Sequence, residues 1–329
     1  MRIGIENAAS CGSLLLLYWL RRGYDLREVN PQISKRLREC LTESHTDLSD
    51  ALGLAWSVSF HPDLPKVRFT QSTAAWKRLS AVRAQLIKAQ TRYLNRLHVL
   101  LSESYGPLYK SLFARLKGKG ALDFFLVFPT LDDTLADLLR IRDLLGEKRA
   151  VLLREAGGWR KSFYLEVLRF DVRLTIKLLQ SYREAIKELE GKMVRSSRGD
   201  PEVEKLKTIP GMGANLALII LGYSGDFSRF PREDTYAAYC SLAPAIWQLG
   251  NSRTFTKPRK RFSRPLKQTF LQLAFTQLRV NPESRAYYQR KRKEGKAHWV
   301  ALMALARQLS KVVFKMMTEG ISQINFDRP

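Results

Sequence analysis

The sequence predicts an α/β segment followed by an all-α remainder. Within residues 1–60, short apolar runs that suit strands alternate with stretches of helical spacing, the pattern of a parallel sheet with helices on its faces. Residues 71–116 and 160–195 repeat apolar side chains every three or four positions, as long amphipathic helices do. The segment after residue 199 is also mostly helical in pattern.

Turn-forming residues delimit the α/β segment. Gly23 suits the end of a first helix, and Asn30-Pro31 ends the following strand. Thr46 is a candidate N-terminal cap for a later helix. The expected strands cover 3–5 and 24–29, and the expected helices cover 14–22, 34–42 and 47–60.

The middle of the chain predicts two long helices, with shorter helices at 121–156 broken at Pro129. The long helices suit a coiled-coil arm or dimerising stalk, and they suit ordinary packing in a helical bundle equally well. Ser196–Pro201 is a polar linker containing Gly and Pro. We therefore expect a first domain at 1–70, a helical insertion at 71–198 and a C-terminal helical domain at 199–320.

The charge of the chain favours a polyanionic partner. Lys and Arg number 56 against 31 Asp and Glu, which gives a net charge of +25. The like charges of a compact protein with this net charge repel one another unless bound phosphates neutralise them. When Lys and Arg neutralise the phosphates of a nucleic acid, counterions are released, and this release favours binding. A merely basic surface is the alternative. A membrane surface is disfavoured because the basic residues are spread along the chain instead of lining one amphipathic segment.

The cysteines and the apolar runs narrow the class of protein further. Cys11, Cys40 and Cys240 are odd in number and far apart, so neither a zinc site nor a disulfide framework is expected. We interpret them as reduced, buried thiols. Leu14–Leu17 is too short to span a bilayer. A cytoplasmic protein with no membrane partner is expected.

One motif has the order of a helix-hairpin-helix. Pro210, Gly211 and Gly213 separate two helical stretches, and glycines of this kind allow a backbone to approach a phosphate. The N–H groups at the start of the second helix would then point at the phosphate. A tight interhelical turn without a ligand is the alternative.

Two basic segments predict phosphate contacts. The first segment has no acids interleaved among its cations, unlike a typical solvated charged face. Tyr287 and Tyr288 precede the second segment, where they can stack on bases or belong to the core. The candidate contacts are Lys257, Arg259, Lys260, Arg261, Arg264 and Lys267 in the first segment and Arg290, Lys291, Arg292 and Lys293 in the second.

Three acids are candidates for metal-dependent phosphodiester chemistry. Glu6 ends a predicted strand, and Asp47 and Asp50 lie three residues apart at the start of a predicted helix. Carboxylates that converge from a strand end and a helix can hold Mg²⁺. Asp47 is equally explained as an acid that the helix dipole favours.

The order and spacing of several motifs, over about residues 1–318, resemble a known family. The motifs are Gly4-Ile5-Glu6-Asn7, Gly23-Tyr24, Val29-Asn30-Pro31, His45–Ala51, Gly225-Asp226-Phe227, Arg229-Phe230, Ala237-Ala238-Tyr239 and Leu242-Ala243-Pro244. Together they resemble the DEDD-type, bridge-RNA-guided insertion-sequence transposases, kin to the Piv/MooV invertases. The resemblance implies part of a RuvC-like (RNase H-like) α/β domain, a coiled-coil insertion and a helical transposase domain with the helix-hairpin-helix.

The resemblance also implies partners and catalytic groups. It implies that the partners are a guide or bridge-type noncoding RNA and DNA, and that the chain forms a homodimer or higher homo-oligomer. It also implies a prokaryotic or phage protein that is associated with the nucleoid. The family has four acids that bind metal, and by the resemblance the second, third and fourth correspond to Glu6, Asp47 and Asp50, which would bind Mg²⁺. The first aspartate lies on an earlier strand than this chain contains. The family's serine nucleophile falls on Leu249, and Ser252 is the nearby substitute.

These departures favour an RNA-guided DNA-binding protein with impaired catalysis. A relative of the Nop-like proteins associated with tandem interspaced guide RNAs would fit. An active transposase or recombinase that uses Glu6, Asp47, Asp50 and Ser252 with Mg²⁺ is the main alternative. An architectural nucleic-acid-binding protein without a guide is the third.

Overall fold

The computed structural model describes residues 1–6, 13–29, 31–42, 46–61, 63–67, 70–113, 115–156, 163–243, 245–247, 255–257 and 262–320. The chain divides into two compact units. The first unit comprises Met1–Ser80 together with Lys192–Pro329, and the second comprises Ala81–Gly191. The domain limits expected from the sequence, 1–70, 71–198 and 199–320, stay a prediction.

The elements of the described chain follow in order. The strands are β1 (Arg2–Glu6), β2 (Asp25–Val29), β3 (Ala245–Trp247) and β4 (Phe255–Lys257). The α-helices are α1 (Ser13–Arg21), α2 (Pro31–Leu41), α3 (Asp47–Phe60), α4 (Gln71–Tyr105), α5 (Tyr109–Leu112), α6 (Lys119–Val127), α7 (Leu131–Ala136), α8 (Leu138–Leu145), α9 (Glu147–Glu155), α10 (Phe163–Ser196), α11 (Pro201–Lys207), α12 (Ala214–Ser224), α13 (Glu233–Tyr239), α14 (Arg264–Val280), α15 (Pro282–Lys293) and α16 (His298–Glu319).

A small parallel sheet opens the first unit. β1 pairs with β2 in a register that sets Arg2 opposite Asp25 and Glu6 opposite Val29. Helix α3 packs on this sheet and lies so close to α2 that a Cβ on Gly53 would be 2.8 Å from the Ser34 carbonyl oxygen. The end of β1 is therefore held beside α2 and α3.

The start of α3 follows the capping expected from the sequence. Thr46 Oγ1 accepts a hydrogen bond from the Ser49 backbone N–H, and Ser49 Oγ accepts one from the Thr46 N–H. This reciprocal capping box satisfies backbone donors that a helix start leaves unpaired. Asp47 and Asp50 consequently occupy the first turn of α3, as predicted.

The second unit is built on two antiparallel helices. Its core gathers buried side chains from α4, α6, α9 and α10, including Leu101, Phe125, Leu153 and Ile176. The contacts between α4 and α10 run in opposite orders along the two helices: Arg83 with Glu190, Tyr93 with Tyr182, and Arg96 with Asp171. The two long helices therefore pair with each other inside one chain.

The first long helix is shorter than the spacing over 71–116 predicts. Helix α4 ends at Tyr105, because Gly106 adopts a positive φ of 60° and Pro107 follows it. The buried Tyr105 hydroxyl donates a hydrogen bond of 2.6 Å to the Phe128 carbonyl oxygen. This bond fixes the helix end against α6.

The C-terminal part of the first unit packs around α16. Leu305, Leu309 and Val313 of this helix are fully buried. Tyr236 of α13 is also fully buried, and its ring contacts Phe227 and Phe314. β3 and β4 form an antiparallel pair that sets Ala245 opposite Lys257.

The predicted fold class is confirmed: a small parallel sheet with helices comes first, and a mostly helical remainder follows. The interpretation of the cysteines as buried thiols is confirmed for Cys240 and wrong for Cys40, which is exposed on α2. Cys11 lies outside the described residues. Among the helices in the described ranges, none combines the length and the apolar character needed to cross a membrane.

Candidate nucleic-acid interface

Two of the candidate acids are bound by the same helix. Ser34 Oγ donates a hydrogen bond to Glu6 Oε1, and Arg38 Nη1 donates one to Asp50 Oδ1. Ser34 and Arg38 are four residues apart, so they lie on one face of α2. Helix α2 thus brings Glu6 and Asp50 to one region, where the largely buried guanidinium of Arg38 neutralises Asp50.

Glu6, Asp47 and Asp50 are the candidate ligands for the Mg²⁺ that the sequence suggests. Carboxylate oxygens suit such a hard cation. Yet across the ranges that the structure describes, no group of three or more His, Cys, Asp or Glu side chains lies close enough together to hold a metal. Asp47 is exposed in the first turn of α3, where the dipole favours an acid. The roles of Glu6, Asp47 and Asp50 as metal ligands and catalytic groups stay a prediction.

The glycines of the predicted hairpin have different surroundings. Helix α11 ends at Lys207 and α12 begins at Ala214, with the turn between them. Gly211 has a φ of 79°, and a Cβ there would lie 2.8 Å from Thr276 Cγ2 of α14. Gly213 has an ordinary φ of −78° and open space where a Cβ would be. Packing therefore explains Gly211, whereas Gly213 faces room that a ligand could use.

The turn is also fastened to the neighbouring helix. Gln277 Nε2 of α14 donates a hydrogen bond to the Pro210 carbonyl oxygen. Gln277 is fully buried, and its Oε1 accepts a hydrogen bond of 2.8 Å from Ser284 Oγ. The turn is thus held in place independently of any ligand, and phosphate binding at Pro210, Gly211 and Gly213 stays a prediction.

The structure describes only part of the first basic segment. Arg259, Lys260 and Arg261 lie outside the described residues, as do Leu249 and Ser252. Lys257 ends β4. Arg264 is exposed at the start of α14, and Lys267 Nζ lies 5.3 Å from the centre of the Phe262 ring. Arg264 and Lys267 occupy the first turn of that helix.

The second basic segment forms the last turn of α15. The cationic groups of Arg290 and Lys291 lie 5.2 and 5.6 Å from the centre of the Tyr287 ring. Tyr287 is buried, so the option that it stacks on bases is disfavoured and the core option holds. Hydrogen bonds from Lys291 and Lys296 lower the pKa of Glu294 to about 2, so this acid is ionised within the basic segment.

Comparison with known proteins decides the family. Residues 203–289 match a family model described as "Transposase IS116/IS110/IS902 family", and residues 1–106 match the DEDD transposase model of IS110-type elements. The chain belongs to the IS116/IS110/IS902 family of transposases. The two matched regions coincide with the segments that carry the resemblance in the sequence.

Similar proteins of this transposase family come from several bacteria. An uncharacterized 43.6 kDa protein of insertion element IS110 from Streptomyces coelicolor is 33% identical over 43% of this chain and 35% of its own length. An uncharacterized 44.8 kDa protein of insertion element IS116 from Streptomyces clavuligerus is 25% identical over 97% of this chain and 83% of its own. The transposase for insertion sequence element IS1328 from Yersinia enterocolitica is 22% identical, with coverages of 91% and 78%.

The two regions that match transposase models contact each other through Arg229. Its Nη1 lies 3.2 Å from Glu28 Oε2 of β2, although 201 positions separate the residues. The guanidinium carbon also lies 4.7 Å from the centre of the Phe230 ring and 4.8 Å from that of Tyr239. An ion pair and two cation–π contacts together hold β2 against the region around α13.

Sequence reasoning missed this cluster because no local pattern pairs Glu28 with Arg229. Lys77 of α4 belongs to it as well. Burial lowers the pKa of Lys77, and the neighbouring Arg229 lowers it further. Close by, a Cβ on Gly222 would lie 2.7 Å from the Lys77 backbone nitrogen, so α12 and α4 touch backbone to backbone.

Proposed function

We propose that this transposase relative binds DNA in a manner that depends on a guide or bridge-type noncoding RNA, with impaired strand cleavage. The observation that carries binding is the net charge of +25, together with a basic segment at the start of α14 and another at the end of α15. Phosphates neutralise such segments with release of counterions. The family supports DNA as the partner, and the RNA comes from the resemblance in the sequence.

The surroundings of Asp50 support impaired cleavage. Arg38 donates to Asp50 from a largely buried position, so a metal ion would have to compete with a guanidinium for that carboxylate. Glu6 accepts a hydrogen bond from Ser34, which lies on the same face of α2 as Arg38. Leu249 stands where the resemblance expects the serine nucleophile, and a leucine side chain has no group that can attack a phosphodiester.

An active transposase is the second candidate, favoured because Glu6 and Asp50 are both hydrogen-bonded to side chains on one face of α2. Strand cleavage and transfer on a supercoiled plasmid, measured with the full chain and Mg²⁺, separates the two. We expect no products above background. Metal-dependent products that Glu6→Gln and Asp50→Asn abolish, and that Glu39→Gln on the exposed face of α2 leaves intact, would establish the active enzyme.

Binding through the basic segments has its own test. We expect the triple change of Arg259, Lys260 and Arg261 to alanine to weaken binding to all DNA sequences about equally. The slope of log K against log salt should flatten by about one unit for each lost phosphate contact. Lys148, Arg149 and Arg154, exposed on α9, provide the matched triple control, which should leave the slope unchanged. An unchanged slope in the first triple variant would remove that segment from the interface.

A homo-oligomer completes the proposal. Four exposed apolar side chains follow one another at spacings of four, three and four residues on α10: Phe163, Val167, Phe170 and Leu174. This is the spacing of a coiled-coil seam and fits a second copy of the chain. We expect Phe170→Glu to lower the mass measured by light scattering, whereas Lys187→Glu on the same helix leaves it unchanged. An equal mass for both variants and the parent would contradict this seam.

A further inference from the structure

We propose that Trp299, His298 and Tyr288 form a stacking platform for an unpaired base of single-stranded nucleic acid. The inference rests on the proposed nucleic-acid binding and adds to it a site at the corner between α15 and α16. Trp299 and His298 belong to neither of the basic segments considered so far.

Three rings follow one another at this corner. The chain reverses after α15 at Gly295, whose φ is 81°, and α16 then begins at His298. The Tyr288 hydroxyl and His298 Nδ1 are 2.7 Å apart, and the two rings meet edge to face with centres 5.8 Å apart. The centres of the His298 and Trp299 rings are 5.4 Å apart. The hydrogen bond thus holds the Tyr288 and His298 rings together, and the start of α16 places Trp299 beside them, before any ligand arrives.

The outer ring of the platform is open to solvent. Trp299 is 67% exposed, while the Tyr288 ring at the inner end is half-buried. An indole has a large apolar face, and leaving it in water forgoes the free energy that burial supplies. Trp299 can gain this free energy when a flat partner covers its face, and bases stack on aromatic side chains in this way.

The charges around the platform select an anionic partner. Arg292 and Lys293 are exposed at the end of α15, and Arg292 Nη1 donates a hydrogen bond to the Lys296 carbonyl oxygen in the turn. Glu294 is the acid of this turn, and Lys291 and Lys296 both pair with it. The corner is therefore net positive around an exposed aromatic ring. This combination matches a flat base attached to a phosphate, and it disfavours an apolar protein surface, which would bury these cations.

A single strand fits better than a duplex. Bases within a duplex are already stacked on one another, so their faces are closed to a side chain. Unpaired bases offer a π-face whatever their identity, and aromatic stacking tolerates any sequence. DNA and RNA strands share this chemistry.

The test compares three labelled probes on the full chain: a 20-nucleotide dT strand, a 20-nucleotide rU strand and a 20-base-pair DNA duplex. We expect Trp299→Ala to weaken binding of the dT strand, the rU strand or both by about 5- to 150-fold, the range for one lost base stack. Duplex affinity and all salt slopes should stay unchanged, because no phosphate contact is removed. Trp299→Phe should retain most of the affinity, and Val300→Ala, at the exposed neighbour, all of it.

Lys293→Ala distinguishes this site from nucleic-acid binding in general. Loss of this exposed cation should weaken single strand and duplex alike and flatten both salt slopes. If Lys293→Ala has that effect while Trp299→Ala changes nothing, or weakens strand and duplex equally, the platform is refuted and the proposed function survives. If the unmodified chain binds none of the three probes, the platform and the proposed function both fail.

Discussion

Replacing the two hairpin glycines one at a time separates the structural role of the turn from its proposed contact with phosphate. Gly211→Ala places a side chain at a φ of 79°, where an L residue is strained. It also pushes a methyl group towards Thr276 Cγ2 at 2.8 Å. The Thr276 hydroxyl donates a hydrogen bond of 3.0 Å to the Gln272 carbonyl oxygen, so the methyl cannot rotate away without losing that bond.

The strain and the crowding together predict a loss of about 2–4 kcal/mol in the free energy of unfolding for Gly211→Ala. For a cooperative unit of roughly 200 residues, this corresponds to a fall in Tm of roughly 5–10 °C. Gly213→Ala meets no atom within 4 Å and keeps an ordinary φ, so its stability should change by less than about 0.5 kcal/mol. If the backbone at Gly213 approaches a phosphate, its new methyl group should nevertheless weaken DNA binding about tenfold.

Thermal unfolding and DNA titration of both variants provide the assay. A stable Gly213→Ala protein with weakened DNA binding supports phosphate binding at the turn. A Gly213→Ala protein that binds DNA as the parent does would refute it and leave the turn as an interhelical connection. A Gly211→Ala protein as stable as the parent would refute the packing argument.

Three further predictions concern other parts of the first unit. Gly222→Ala should lower the free energy of unfolding, measured by denaturant titration, by about 1–3 kcal/mol, because the new methyl group would collide with the backbone of α4. Unchanged stability would contradict the close approach of α12 to α4. Burial raises the pKa of the Cys240 thiol to about 12, so little of it is thiolate at pH 8. Alkylation at pH 8, read out by mass spectrometry, should label Cys40 and leave Cys240 unlabelled until the chain unfolds. Fast labelling of both thiols would contradict the burial of Cys240. Hydrogen bonds from Arg307 and Lys311 lower the pKa of Asp234 below 3.8, so its stabilising contribution is complete above that pH and disappears as the pH falls further. Asp234→Asn should then reduce the loss of stability that occurs as the pH falls below about 4. An identical acid profile for the parent and the variant would rule out a stabilising role for these two hydrogen bonds.

Local signals predicted most of the secondary structure. The α3 bounds agree with the sequence because Thr46 is a strong N-terminal cap and the apolar pattern ends at Phe60. The end of α4 was misjudged because apolar side chains continue past Gly106, and periodicity alone does not weigh a glycine and a proline against that pattern. The sequence does not predict the β3–β4 pair, because strands of three residues are too short to show an alternation of apolar and polar side chains.

The candidate site was less predictable, since its contacts join distant parts of the chain. The sequence identified Glu6 and Asp50, but nothing local indicated that Ser34 and Arg38 would bind them from one face of α2. Trp299 stands outside any basic run and becomes notable only when its exposure and its contact with His298 are known.

The most direct test of the central claim is to purify the full chain from cells that carry its native locus and to sequence the nucleic acid bound to it. RNA-dependent DNA binding predicts one discrete structured RNA, or a ladder of related short guides, that resists salt washing. The triple change of Arg259, Lys260 and Arg261 to alanine should reduce that yield. Heterogeneous nucleic acid that moderate salt removes, with no enriched RNA, would contradict the claim of RNA dependence.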